Sequence, residues 1–106
     1  MTEKKYEILM DDSCTVEVYG HTLHRIRALR DFGDVKAGDY GGWIESEDNL
    51  SHEGDCWVSG LAKVLGSARV YGSARVWGSA MVYGSAEVCG SAEVWGSAEV
   101  ANGYIG

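Results

Sequence analysis

Gly66-Ser-Ala-Arg-Val-Tyr71, Gly72-Ser-Ala-Arg-Val-Trp77, Gly78-Ser-Ala-Met-Val-Tyr83, Gly84-Ser-Ala-Glu-Val-Cys89, Gly90-Ser-Ala-Glu-Val-Trp95 and Gly96-Ser-Ala-Glu-Val-Ala101 are six consecutive copies of one six-residue unit. The frame runs back through Gly60 and Gly54, and with weaker agreement through Asp48, so that eight clear hexads cover residues 54–101. Self-similarity at a short fixed period marks a stack of repeats. Within each unit Ala and Val lie two apart and share one face of an extended strand, while Ser, the variable residue and the aromatic point the other way. Glycine marks the corner, where a residue without a Cβ takes positive φ at little cost. A helix is excluded because a period of six turns successive valines about 240° apart and forms no apolar stripe. A flat array of hairpins lacks its two-residue Asn-Gly or Asp-Gly turns. Strand and corner therefore alternate, and three hexads make a coil of 18 residues.

The hexad resembles that of the hexapeptide-repeat proteins, whose left-handed parallel β-helix is known best from trimeric acyltransferases. The segment Leu23 to Glu45, followed by Asn49-Leu-Ser-His-Glu-Gly-Asp-Cys-Trp-Val58, is similar to the leader of small hexapeptide-repeat proteins found in bacteria and their prophages. The resemblance implies an all-β fold: a short single-stranded parallel β-helix, left-handed, of about three coils. Strands are expected at Lys5 to Leu9, Thr15 to Tyr19 and Thr22 to Leu29, with a loop from Gly33 to Gly42. These form an N-terminal β cap over residues 1–47, packed on the first coil of a solenoid over residues 48–106, because an open end exposes strand edges and core.

The chain has 106 residues and a net charge of −7. Residues 1–30 and 61–106 balance, so the excess lies in Asp31, Asp34, Asp39, Glu45, Glu47, Asp48, Glu53 and Asp55, opposed by Lys36. With no basic stripe, direct binding to nucleic acid is disfavoured. The eight carboxylates are instead the expected contact for a basic host protein, steered by charge and weakened by salt. An inhibitor of a nucleic-acid-handling defence enzyme, carried by a phage or mobile element and mimicking the charge of DNA, is one concrete form. An acyltransferase or its inactive remnant, and a polymer-forming structural solenoid, are the alternatives.

No histidine lies beyond His52, so the general base of the acyltransferases has no counterpart within the clear hexads, and no catalytic residue is assigned. His21 and His24 fall on opposite faces of a strand, which opposes a shared metal. His52 falls where later hexads carry Val. No metal and no cofactor are expected. Cys14, Cys56 and Cys89 form neither a disulfide framework nor a zinc pattern. Cys56 takes the Ala slot and reads as core, whereas Cys89 takes the outward aromatic slot and reads as exposed. The Tyr71, Trp77, Tyr83 and Trp95 column is expected to pack locally at the corners.

An 18-residue coil lays Arg69 on Glu87, Arg75 on Glu93, Lys63 over Met81 over Glu99, Trp57 on Arg75 and Trp77 on Trp95, which implies ion pairs between coils. Residues 102–106 break the frame, so a homodimer is expected to bury Tyr104 and Ile105 at the C-terminal end. The opening residues lack an apolar signal segment, and no window reaches the roughly 18 apolar residues of a membrane span. A cytoplasmic location is expected.

Overall fold

The computed structural model describes residues 4–106. The cap begins with β1 (Tyr6–Ile8), β2 (Thr15–Val18) and β3 (His21–Ala28), where β3 pairs antiparallel with both of the others. Val18 pairs with His21, so the β2–β3 hairpin turns on Tyr19 and Gly20, both at positive φ as a two-residue hairpin turn requires.

The parallel ladder starts earlier than the hexad frame. Tyr40–Ile44, expected as loop and cap, form β4, which pairs antiparallel with β3 and parallel with β6 (Lys63–Val64). The first face of the solenoid continues through β9 (Met81–Val82) and β12 (Glu99–Val100), giving four rungs, β4, β6, β9 and β12. The second face carries Leu50, bridged to Val70, then β7 (Arg69–Val70), β10 (Glu87–Val88) and β13 (Tyr104–Ile105). The third stacks β5 (Trp57–Val58), β8 (Arg75–Val76) and β11 (Glu93–Val94). The chain is thus a parallel β-solenoid of about four turns.

Two irregularities bracket the repeat. Trp43 pairs with Lys63 and Leu50 with Val70, 20 residues apart, whereas Trp57 pairs with Arg75, 18 apart. The two extra residues lie between Leu50 and Trp57. Leu50, not His52, therefore occupies the valine layer, and the hexad frame read from Asp48 is displaced by two. At the other end Tyr104 pairs with Glu87, one residue short of the period. The tail adds a rung to the second face instead of leaving the ladder.

Within the repeat the expected inward face is the observed one. Val58, Val64, Val76, Val82 and Val88 are fully buried, and so are Ala62, Ala68, Ala74, Ala80 and Ala86. Six corners are closed by an Ala N–H, from Ala62, Ala68, Ala74, Ala86, Ala92 and Ala98, bonded to the carbonyl three residues earlier, for example Ala62 to Ser59 O at 3.2 Å. The corner glycine between them has φ of +63° to +73° in every hexad from Gly54 to Gly96, a region closed to most side chains.

The N-terminal end of the stack is sealed by side chains that replace a missing coil. Gly72 O and Ala74 O accept the N–H groups of Cys56 and Trp57 from the coil before, each at 3.1 Å. Their counterparts in the first coil, Gly54 O and Cys56 O, have no earlier coil, and Lys5 Nζ donates to them at 3.2 and 2.7 Å. On the second face Val70 O accepts Ser51 N–H, and the counterpart Leu50 O accepts Tyr6 Oη–H at 2.6 Å. Asn49, 0% exposed, donates to Gly66 O and Ala68 O at 3.2 and 2.8 Å. Its Oδ1 accepts the N–H groups of Glu45 and Ser46. Buried backbone acceptors left empty are costly, which explains why polar residues sit in this apolar end. His52 stacks on Tyr6 with ring centroids 4.1 Å apart, and its Nδ1 accepts the Lys5 N–H at 3.0 Å.

Candidate functional site

The register across coils is the expected one, but the side chains pair differently. Arg69 lies against Glu87, Arg75 against Glu93, and Met81 against both Lys63 and Glu99. No ion pair links Arg69 to Glu87 or Arg75 to Glu93 among the described residues. Tyr71 Oη instead donates to Glu87 at 2.7 Å, and Arg75 reaches out of the repeat to Asp34 of the cap at 2.7 Å. Neighbouring strands of a parallel sheet fix which Cα atoms lie side by side, but a long side chain swings to whichever partner is nearest. Exposed pairs hold one geometry only weakly.

The eight acidic residues, all exposed except the half-buried Glu45, separate into those bonded within the chain and those without a partner among the described residues. Asp31 accepts Ala37 N–H at 2.8 Å and Asp39 accepts Lys36 N–H at 3.0 Å, which shapes the loop before β4. Asp34 is held below the usual carboxylate range by its hydrogen bond from Arg75. Glu45 accepts Gly66 N–H at 2.8 Å and meets His21 Nδ1 at 3.0 Å through both oxygens, and the His21 bond leads in lowering its pKa. Glu47 joins His52 Nε2 at 2.6 Å and Lys4 Nζ at 3.2 Å, with the His52 bond leading the same depression. The carboxylates of Asp48, Glu53 and Asp55 are exposed and receive no hydrogen bond or ion pair from the described residues. Asp48 shares a hollow with Glu47, Arg69 and Glu87 on the second face, while Asp55 lies near Arg75 on the third.

The two strand histidines part company as their spacing requires. His24 Nδ1 meets Thr15 Oγ1 at 3.2 Å, and His21 turns to Glu45. The His21 side borders a groove lined by Tyr19, Ser67, Tyr83 and Ser85. A histidine oriented by a carboxylate has the arrangement of a general base, a feature that spacing within the chain did not signal because His21 and Glu45 are 24 residues apart.

Cys89 overturns its expected exposure. It is 3% exposed, since the residues stacked around its corner, Tyr71 one coil before and Tyr104 with Gly106 in the tail, close over the sulfur. Cys56 is buried as expected, and burial pushes its thiol pKa up. The corner aromatics divide. Tyr71 and Tyr83 pack half-buried beside Glu87 and Glu99, whereas Trp77 and Trp95 remain 39% and 57% exposed and stack on one another. In the last rungs Tyr104 is exposed and Ile105 half-buried, beside an apolar hollow formed with Val94, Trp95, Ala98 and Val100.

No helix among the described residues is long and apolar enough to cross a membrane. No protein-family model matches the chain. A stretch of 36 residues, 34% of the chain, is 53% identical to the uncharacterized acetyltransferase YdcK of Escherichia coli (strain K12) and covers 11% of that protein. The match spans about a tenth of the length of that relative, a protein described as an acetyltransferase.

Proposed function

We propose that the chain is a non-catalytic, acidic protein-binding solenoid that engages a basic host protein, in the concrete form of a phage or mobile-element inhibitor of a nucleic-acid-handling enzyme. The observation that supports this reading is the set Asp48, Glu53 and Asp55. These carboxylates have no partner among the described residues, yet they stand at the first coil, whose backbone is pinned by Asn49, Tyr6 and Lys5. Fixed charge without an ion-paired or hydrogen-bonded partner on a pinned backbone steers an oppositely charged protein and sets its register. The other five of the eight acids also bond within the chain, and Asp31, Asp34, Asp39 and Glu47 remain exposed and extend the contact beside these three.

The test is a pull-down from host lysate with wild type and with Asp48→Lys, Glu53→Lys and Asp55→Lys combined, each checked for folding by circular dichroism. A basic nucleic-acid-handling protein is expected on the wild type at low salt, lost at high salt and lost with the triple variant. Recovery of the same protein by a folded triple variant refutes the reading. The reading includes a homodimer through Tyr104 and Ile105, which lie beside the apolar hollow of the last rungs. A monomer by light scattering at micromolar concentration removes that part.

A second reading, an acyltransferase or its remnant, is favoured by the His21–Glu45 pair beside its groove and by the partial match to a protein described as an acetyltransferase. Saturable acetyl-CoA binding that is lost in His21→Ala separates it from the first.

A further inference from the structure

The third face carries a column of position-six residues, Ser59, Trp77 and Trp95, one coil apart. Trp77 and Trp95 stack nearly parallel, with centroids 5.4 Å apart and planes 11° from one another. The column is one ring short, because its first member is the small Ser59. Trp57, which lies in the same coil, is covered by Phe32 and Tyr6 of the cap and is 5% exposed. A void of about 350 Å³ results between the columns, bounded by Trp57, Ser59, Arg75, Trp77 and Glu93. Through Trp57, Ser59 and Arg75 it joins a second void of about 310 Å³ that reaches Asp34, Asp39 and Tyr40 of the cap.

The charges around this groove are unequal. Three carboxylates, Asp34, Asp39 and Glu93, line the joined voids against one guanidinium, Arg75, which is already held by Asp34 at 2.7 Å. Glu93 makes no ion pair or side-chain hydrogen bond with the described residues, although Arg75 is its neighbour on the next rung. The groove therefore offers a tryptophan ring with a stacking partner on one side and an uncommitted carboxylate beside it. A phosphate-bearing ligand would meet net negative charge. A neutral aromatic ring would cover Trp77 but desolvate Glu93 without pairing it. A guanidinium satisfies both surfaces, since it is flat enough to stack on an indole and its forked N–H groups match a carboxylate.

We propose that this groove is the anchoring site for an arginine side chain of a basic partner protein, with the guanidinium stacked on Trp77 and paired with Glu93. The assignment rests on the acidic-binding reading above and gives it a second, separate contact on the third face. Trp77 is the aromatic platform and Glu93 the charge that selects a cation. Because the site is formed by surface residues of consecutive coils, neither substitution below opens the Ala and Val core.

The experiment is a titration of the full chain with the capped peptide acetyl-Arg-Arg-Arg-amide at low salt, followed by nuclear magnetic resonance of the indole N–H groups and run beside its lysine counterpart, adenosine monophosphate and maltose. The arginine peptide is expected to bind saturably and to shift the Trp77 indole. Affinity should fall about 3- to 10-fold in Trp77→Ala and in Glu93→Gln, and the lysine peptide should bind several-fold more weakly than the arginine one. An unshifted Trp77, equal affinity in wild type and both variants, or binding by adenosine monophosphate or maltose in preference to the peptide overturns the proposal. Loss of peptide binding in the Asp48, Glu53 and Asp55 triple variant alone would remove this groove and leave the acidic reading standing. No binding of either basic peptide to any form removes the groove, while the acidic reading stands or falls with the pull-down.

Discussion

Replacing Lys5 with methionine is expected to lower the free energy of unfolding by about 3 kcal/mol, because Gly54 O and Cys56 O lose their donor. Methionine keeps most of the apolar stem but not the ammonium, which lies 4.7 Å from the Phe32 ring centroid, so the loss reports the hydrogen bonds together with that cation–π contact. Lys5 is 0% exposed, and among the described residues its ammonium donates to two carbonyls and the Cys56 sulfur and to no carboxylate. Burial accordingly lowers its pKa from the ordinary lysine value of 10.5. The sign of the pH dependence follows. Between the lowered value and 10.5 the unfolded chain binds more protons than the folded one, so the contribution of Lys5 to stability rises with pH across that window and levels off above it. Tyr6, whose ionisation burial pushes up, is common to both proteins and cancels when the two are compared. Urea denaturation of wild type and Lys5→Met from neutral pH to about pH 10 reads both effects. A Lys5→Met protein as stable as wild type, or a gap that narrows as pH rises, contradicts the sealing role.

Gly42→Ala is expected to cost a similar amount for a different reason. Gly42 occupies the Ala slot of the first coil, and an added Cβ would lie 2.6 Å from Ala62 O and 2.7 Å from Val58 Cγ1. That oxygen accepts Trp43 N–H at 3.0 Å in the ladder and does not yield without breaking it. Overpacking against a fixed backbone atom costs about 3 kcal/mol, on the order of 15 °C in Tm for a domain of this size. Gly96→Ala supplies the contrast. Its Cβ would meet nothing within 4 Å, but the residue has φ +67°, so the cost is conformational alone, about 1 kcal/mol. Thermal denaturation that finds Gly42→Ala no worse than Gly96→Ala would show that the cap seats less tightly on the first coil than the geometry gives.

Much of the solenoid is legible in the sequence. The period named the inward Ala and Val, the corner glycines and the 18-residue register, down to Trp77 on Trp95, because these relations are local or repeat by translation from one coil to the next. Each rung meets the same neighbour at the same offset, so one hexad describes them all. The first coil departs from the repeat for the complementary reason. Tyr40–Ile44 carry no hexad, and two residues are inserted after Leu50, so the pattern gave no frame where the stack begins.

What only the tertiary structure decided is where non-repeating side chains end up. Lys5 and Cys56 are 51 residues apart in sequence, and nothing near a lysine in an N-terminal strand signals that it will fill an absent coil. Asn49 sealing two carbonyls, Arg75 choosing Asp34 over Glu93, Cys89 closed over by the tail, and His21 meeting Glu45 are likewise contacts that the hexad spacing does not name. The composition counted eight acids as one field, and the fold bonded five of them within the chain and left Asp48, Glu53 and Asp55 without a partner among the described residues. Sequence determined the repeat because its interactions depend on spacing alone. The cap and the surface chemistry needed the folded chain because their interactions depend on which distant residues the first coil brings within reach.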